Sequence, residues 1–254
     1  MLNEVLSRLP EIEEGTKVVS VLSGGLDSTI VTYTLVKKYG AENVVALSYN
    51  YGQKQSVELE KAILTCQKLG IAHKILDISF LGEVVSKVSA LSRVGDVAMP
   101  TIEDVLGEPQ PVTYVPYRNL ILFSIGMSFA ESNNASFVFN GLQAHDEYSY
   151  WDTTKAFVQS VNNVSELNRK NSVKIVSPFV EFSKKDEIQV GKELNVPWID
   201  TWTCYEGENG KGACGRCPSC SERIMNFAKA GIKDECPYAI DIPWEKLIEE
   251  NSEV

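Results

Sequence analysis

Two stretches of the chain carry residues of the right type and spacing to do chemistry. The first is Ser23-Gly24-Gly25-Leu26-Asp27-Ser28-Thr29. It follows the β-branched run Lys17-Val18-Val19-Ser20-Val21-Leu22 and precedes a stretch with helical spacing. A glycine turn between a strand and a helix aims backbone N–H groups at one point. The helix dipole adds positive potential there, so the turn suits an anion. Gly24 and Gly25 allow positive φ and leave no Cβ in the way of a phosphate. Ser23, Ser28 and Thr29 supply hydroxyls. The turn is not a Walker A loop, which ends in Gly-Lys-Ser/Thr, nor a dinucleotide G-x-G-x-x-G.

The second stretch is Cys204, Cys214, Cys217 and Cys220, spaced C-x9-C-x2-C-x2-C. Four thiolates in a tight knuckle fit a tetrahedral Zn²⁺. An iron–sulfur cluster uses similar spacing and is the alternative. A zinc ion closed by four cysteines has no open position, which implies a structural role. The acids Glu206, Glu208 and Glu222 around it argue against a zinc ribbon that grips nucleic acid. Cys66 and Cys236 read as plain thiols. His73 and His145, the only histidines, sit in no recognisable triad.

These residues need a scaffold, and the pattern supplies one. Residues 17–22, 44–51, 73–78 and 135–139 read as strands. Residues 30–39, 56–69, 120–131, 153–168 and 183–194 read as helices, and 2–9 as a short amphipathic one. Strands alternating with helices predict a parallel sheet covered on both faces. Ligands in such sheets lie beyond the carboxyl ends of the strands. The glycine turn, the stretch Asn50-Tyr51-Gly52-Gln53 and the loop 140–152 all fall at such ends, so they should face one crevice. Residues 80–112 hold Pro100, Pro109 and Pro111 and read as an excursion or lid. Residues 232–254 read as a surface helix or frayed tail.

The chain has 254 residues, which bounds it to one large domain or one domain with a small appendage. The formal net charge of −10 lowers the expectation of a nucleic-acid partner. No run of apolar residues is long enough to span a bilayer. The N-terminus lacks the pattern of a secretory signal, so a cytoplasmic location with reduced thiols is expected.

The glycine turn resembles the pyrophosphate-binding loop, S-G-G-x-D-S, of the N-type ATP pyrophosphatases. Together with Tyr51-Gly52-Gln53, Val115-Pro116-Tyr117-Arg118-Asn119 and the late cysteine knuckle, it resembles the 7-cyano-7-deazaguanine synthase (QueC) family. The resemblance runs from about Val18 to Arg223. Pro178-Phe179 with Lys184, and Trp202-Thr203-Cys204-Tyr205, look like two further family motifs.

The resemblance implies a five-stranded parallel sheet with helices on both faces, the PP-loop fold, in residues 1–200. It implies a zinc knuckle and helical tail in residues 201–254, packed on the same domain. It implies ATP, Mg²⁺ and Zn²⁺, a deazaguanine carboxylate as substrate, ammonia as the attacking amine, and a homodimer. In the implied reaction ATP adenylates the carboxylate of 7-carboxy-7-deazaguanine and ammonia displaces AMP. A second ATP-driven dehydration then gives the nitrile. Ser23, Gly24, Gly25, Asp27, Ser28, Thr29, Tyr51, Gln53 and Asn119 would bind the nucleotide. Asp27 would hold Mg²⁺ or cap the loop. Arg118 and Lys184 would neutralise phosphate charge. Tyr117, Arg118, Asp146, Tyr150 and Asp152 would recognise the base, and the four cysteines would hold zinc.

One loop departs from the family. Its pattern, roughly Asp-Tyr/Phe-Ser-Gly-Tyr-Pro-Asp-Cys-Arg, is met by Asp146-Glu147-Tyr148-Ser149-Tyr150-Trp151-Asp152-Thr153-Thr154. Asp146, Tyr150 and Asp152 keep register, whereas the Gly, Pro, Cys and Arg are replaced. Tyr117 stands where the family has Gly or Ala, and the cysteine spacing is about one residue longer. A reshaped loop raises an alternative. The same adenylate could be trapped by a larger amine, such as a protein N-terminus, as in QueC-like proteins of anti-phage gene clusters. An ATP-dependent tRNA thiolase would need a catalytic cysteine and a basic surface, and neither is seen. A zinc-ribbon binding module on a degenerate nucleotide fold is disfavoured by the intact glycine turn.

Overall fold

The computed structural model describes residues 1–51, 57–85, 114–143, 150–207 and 212–251. Five parallel strands form one sheet in the order β3-β2-β1-β4-β5. They are β1 (Lys17–Val21), β2 (Val44–Asn50), β3 (Ala72–Asp77), β4 (Ala135–Phe139) and β5 (Lys174–Val176). The chain starts in the centre, winds outward through β2 and β3, then returns to the other side of β1. That reversal of direction between β1 and β4 is where an open α/β sheet leaves a crevice.

Successive strand residues face opposite sides of the sheet, and the core divides accordingly. Val18, Ala46 and Phe139 belong to one apolar cluster, while their neighbours Val19, Leu47 and Val138 belong to another. The first cluster takes in α1 (Leu2–Arg8), α2 (Leu26–Tyr39) and α3 (Val57–Leu69). The second is closed by α5 (Arg118–Ser132) and α6 (Lys155–Ser165). A short α4 (Phe80–Val85) lies between them in the chain. On the first face α7 (Lys184–Glu193), α8 (Pro218–Lys229) and α9 (Trp244–Asn251) add Ile188, Phe227 and Trp244. Both faces are therefore covered, as continuous β-branched strands require.

The pattern missed or misplaced two features, and of its two readings of the tail the helix is the one that holds. It showed four strands, whereas the fifth is only three residues long, too short for any periodicity to register. Helix α2 begins at Leu26, four residues before the apolar stripe, so Asp27, Ser28 and Thr29 lie in its first turn rather than in a loop. The tail is not frayed through 251, because α9 inserts Trp244 into the main core. Ser183 caps α7 as expected: its Oγ accepts from the Asp186 N–H at 3.2 Å and donates to the Asp186 carboxylate at 2.6 Å. Most of the 80–112 stretch lies outside the described residues.

Candidate active site

A cavity of about 340 Å³ opens at the carboxyl ends of the central strands, where Val21 and Leu22 form its floor. Its size suits a small-molecule site. Ser23, Gly25, Asp27 and Ser28 line it on the side of the glycine turn. The turn is braced from within. The Ser28 hydroxyl accepts from the Ser23 N–H at 3.1 Å and lies 2.9 Å from the Ser23 hydroxyl, which accepts from the Gly25 N–H at 3.1 Å.

Gly24 takes φ +89° and packs so tightly on α3 that a Cβ would meet the Glu58 carbonyl oxygen at 2.0 Å. Gly25 does not take positive φ. It is the N-cap of α2 with φ −74°, and a Cβ there would meet the Ser23 hydroxyl at 3.1 Å and the Trp202 carbonyl at 3.5 Å. Gly24 and Thr29 do not line the cavity. Thr29 is fully buried beneath the turn, with its hydroxyl turned away from any hydrogen-bond partner.

Asp27 accepts a hydrogen bond from the Lys184 ammonium at 2.7 Å. Lys184 also stands 3.9 Å from the fully buried Glu187 carboxylate, which accepts from the Gln143 amide. The helix start of α7 thus brings a cation to the glycine turn, across 157 residues of sequence.

The opposite wall is the start of α5. Tyr117, its N-cap, adopts a left-handed φ of 55°, a strained conformation for a non-glycine residue. That turn throws Arg118 and Asn119 into the cavity. Burial works against the charge of Arg118, but the surrounding Tyr51, Asp152, Tyr205 and Tyr150 more than offset it. Asp152 does not reach the cavity. Its carboxylate accepts from the Asn119 N–H at 3.4 Å and its carbonyl from the Asn119 amide at 3.0 Å, so it fixes Asn119. Desolvation raises its pKa, and Arg118 opposes that shift.

Tyr51 and Tyr150 line the cavity. Tyr117 itself points outward, 58% exposed, with its ring edge-on to Trp151 at 5.5 Å. Gln53 and Asp146 lie outside the described residues, as does His145. His73 sits on β3, within 2.8 Å of the Ser48 hydroxyl, away from the cavity.

Glu58 was not anticipated. It lies in the first turn of α3 and lines the cavity, and desolvation pushes its carboxyl up to about 7 against the pull of Arg118. In the sequence it is one of two acids opening a helix, with Glu60, and acids there ordinarily complement the helix dipole. Nothing in the spacing separates the one that faces a cavity.

The four predicted cysteines converge. Their sulfur atoms all lie within 4.8 Å of one another, and all four residues are buried. The sulfurs accept backbone N–H bonds: Gly207 and Cys214 donate to Cys204, and Arg216 and Cys217 donate to Cys214, at 3.0–3.4 Å. Backbone N–H groups that point at sulfur favour its thiolate form, and such outer contacts would orient a metal's ligands. Crowding splits their acidities. Hydrogen bonds from Cys217 and Cys220 lower the Cys204 thiol, while those to Cys204 raise Cys217 to about 12 and Cys220 further. Four sulfurs this close could share one metal ion. Cys204 also lines the cavity, and the Trp202 N–H donates to the Gly24 carbonyl at 3.0 Å, so the knuckle abuts the glycine turn.

These features define a class: a PP-loop α/β fold with a four-cysteine knuckle set against its glycine turn. The family model described as "Queuosine biosynthesis protein QueC" matches residues 17–231. The chain is 42% identical over 229 residues to the 7-cyano-7-deazaguanine synthase of Caldicellulosiruptor bescii, covering 90% of this chain and 100% of that protein. It is 38% identical over 224 residues to that of Marinomonas sp. (strain MWYL1), covering 87% and 98%. Among solved structures it resembles the U34-tRNA thiolase NcsA from Methanococcus maripaludis with its [4Fe-4S] cluster. The TM-score is 0.52 at 16% identity, over 99% of this chain and 76% of that one, a likeness of fold. The chain therefore belongs to the QueC family, and it is an enzyme. No helix among the described residues is long and apolar enough to cross a membrane.

Proposed function

We propose that this enzyme makes 7-cyano-7-deazaguanine from 7-carboxy-7-deazaguanine, ammonia and ATP. The observation that carries the reading is the pairing, across one cavity, of a glycine turn at a helix start with the half-buried cation Arg118. A carboxylate is a poor acyl donor until AMP becomes its leaving group. The turn and the start of α2 suit the departing pyrophosphate. Lys184, held on Asp27, neutralises charge beside it, and Arg118 and Asn119 suit the acyl phosphate or the substrate carboxylate. Tyr51 and Tyr150 flank the space left for a planar base.

Asp27 is the carboxylate that would hold Mg²⁺, which usually takes one or two protein carboxylates plus phosphate oxygens. The ion would stabilise charge on the phosphates. Cys204, Cys214, Cys217 and Cys220 would hold Zn²⁺. Around one zinc at about 2.3 Å, thiolate sulfurs stand about 3.8 Å apart, and the Cys214–Cys220 separation is 3.9 Å. A cubane cluster spreads one thiolate to each iron and needs a wider cage.

A second reading draws on the rim. Trp151 and Tyr117 are exposed where the chain enters and leaves the cavity wall. An exposed aromatic pair next to the wall residues Arg118 and Tyr150 suits contact with an acceptor amine larger than ammonia, including a protein N-terminus. One incubation separates the readings: protein, 7-carboxy-7-deazaguanine, Mg-ATP and ammonium, read by mass spectrometry. Conversion to the nitrile with AMP and pyrophosphate is the expected result. AMP release without nitrile, and a mass increase on an added amine, would favour the second reading. ADP and phosphate as the products of every ATP used would refute adenylation.

A further inference from the structure

Adenylation and amination make different demands on protons, and the cavity holds one group suited to the second. When a neutral amine attacks the acyl carbon, its lone pair forms the C–N bond. The C–O bond to phosphorus then breaks, and AMP leaves with that electron pair. The nitrogen, now carrying one proton too many, must lose it, or the amine is expelled again.

Among the described residues, three carboxylates line the cavity: Asp27, Glu58 and Glu222. Asp27 is engaged by Lys184 at the phosphate end. Glu222 lies on α8 beside Tyr205, on the side of the cysteine knuckle. Glu58 stands between the two halves of the chemistry. Its own carbonyl is packed against Gly24 of the glycine turn, and its carboxylate feels Arg118 and Tyr51 across the wall. An acyl adenylate with its phosphate toward the turn and its carbonyl toward Arg118 would present the acyl carbon beside Glu58. We propose that the Glu58 carboxylate accepts the proton from the attacking amine, and so serves as the general base of the amination step. This rests on the reading of the enzyme as an adenylating amide former.

The environment suits the task. A base works best with a pKa near the operating pH. Glu58 is lifted to about 7 by desolvation, and Arg118 keeps it from rising further. Among the described residues, the phenols nearest in the cavity lining are Tyr51, which interacts with Glu58, and Tyr49. Tyr51 is raised by burial, and Tyr49 is raised and donates to the Leu122 carbonyl at 2.8 Å, so neither competes for a proton at neutral pH.

The test uses the whole enzyme with Glu58→Gln and Glu58→Asp. Substrate-dependent ATP–pyrophosphate exchange reports adenylation without amine, and amide or nitrile formation reports the whole sequence. For E58Q, exchange should stay within about threefold of wild type while product formation falls about 10²-fold or more. E58D should recover part of that loss. The ratio of wild-type to E58Q rates should rise through pH 7 and level off above it, which cancels the titration of ammonium itself. Product formation by E58Q at the wild-type rate would overturn the proposal. So would exchange and product falling in parallel, which would mean a structural or binding role. An absence of exchange in the wild type would instead overturn the underlying reading, and the proposal with it.

Discussion

Gly24 and Gly25 are adjacent, yet they do different jobs. Gly24 holds φ +89°, and a Cβ there would collide with the Glu58 carbonyl at 2.0 Å, whereas Gly25 is extended and a Cβ would meet the Ser23 hydroxyl at 3.1 Å and the Trp202 carbonyl at 3.5 Å. Gly24→Ala should therefore cost more than about 2 kcal/mol and abolish turnover, from strain plus displacement of α3. Gly25→Ala should cost about 1 kcal/mol or less in stability. Urea unfolding of the pair checks this, and equal losses would show that the turn reads the two glycines alike. The motif made both residues legible, since few other turns carry two glycines, an acid and two hydroxyls behind a buried strand. It could not assign their dihedrals. Residues whose role depends on direction were least legible. Asp152 keeps the family's register but turns its carboxylate onto Asn119, and Glu58 looks like any first-turn acid. Thr29 carries the right hydroxyl and buries it.

At the scale of elements, the fold was legible wherever a stretch was long enough to show a period. β1 is a β-branched run and β2 and β4 are short, largely apolar runs between turns, and α2 and α3 carry apolar stripes. β5, with three residues at a sheet edge, has no period to read, and only the family resemblance anticipated it. The knuckle's support was not legible either. Arg223 of α8 donates through Nε and Nη2 to the Asp234 carboxylate at 2.7 and 2.9 Å, with both side chains almost wholly buried. Asp234 also accepts from the Tyr238 hydroxyl at 2.7 Å and the Cys236 N–H at 3.0 Å. This pair ties α8 to the strap 232–238, but in the sequence it is one basic and one acidic residue among many. Removing one partner leaves a buried charge uncompensated. Arg223→Leu should therefore destabilise the protein by about 3–5 kcal/mol, while the double change with Asp234→Leu should recover part of that loss. Denaturant unfolding of both single variants and the double variant checks the sign of the coupling. Additive losses would show that the pair acts independently.

Across the whole molecule, the knuckle and the glycine turn are joined directly. The chain leaves the glycine turn for α2, and far along the sequence Trp202 returns to donate its N–H to the Gly24 carbonyl. Two residues on, Cys204 both lines the cavity and joins the thiol cluster. The Trp202 indole donates to the Cys204 carbonyl at 3.1 Å, which stiffens that link. Four buried thiols whose sulfurs lie within 4.8 Å of one another could hold one cation, and the binding energy of such an ion would be folding energy for this region. Its loss should travel through Trp202 to the turn. Metal analysis is expected to find one zinc per chain. Chelation of the folded protein, or Cys217→Ser, should lower the melting temperature by about 10 °C or more. The same change should weaken ATP binding more than binding of the deazaguanine carboxylate, because Trp202 braces the turn that forms the phosphate side of the cavity. Thermal unfolding with and without chelator, and ATP titration of whatever fraction stays folded, read the two effects separately. Iron in place of zinc would overturn the assignment of the ion. A metal-free protein with unchanged melting and ATP affinity would overturn the coupling of knuckle to turn.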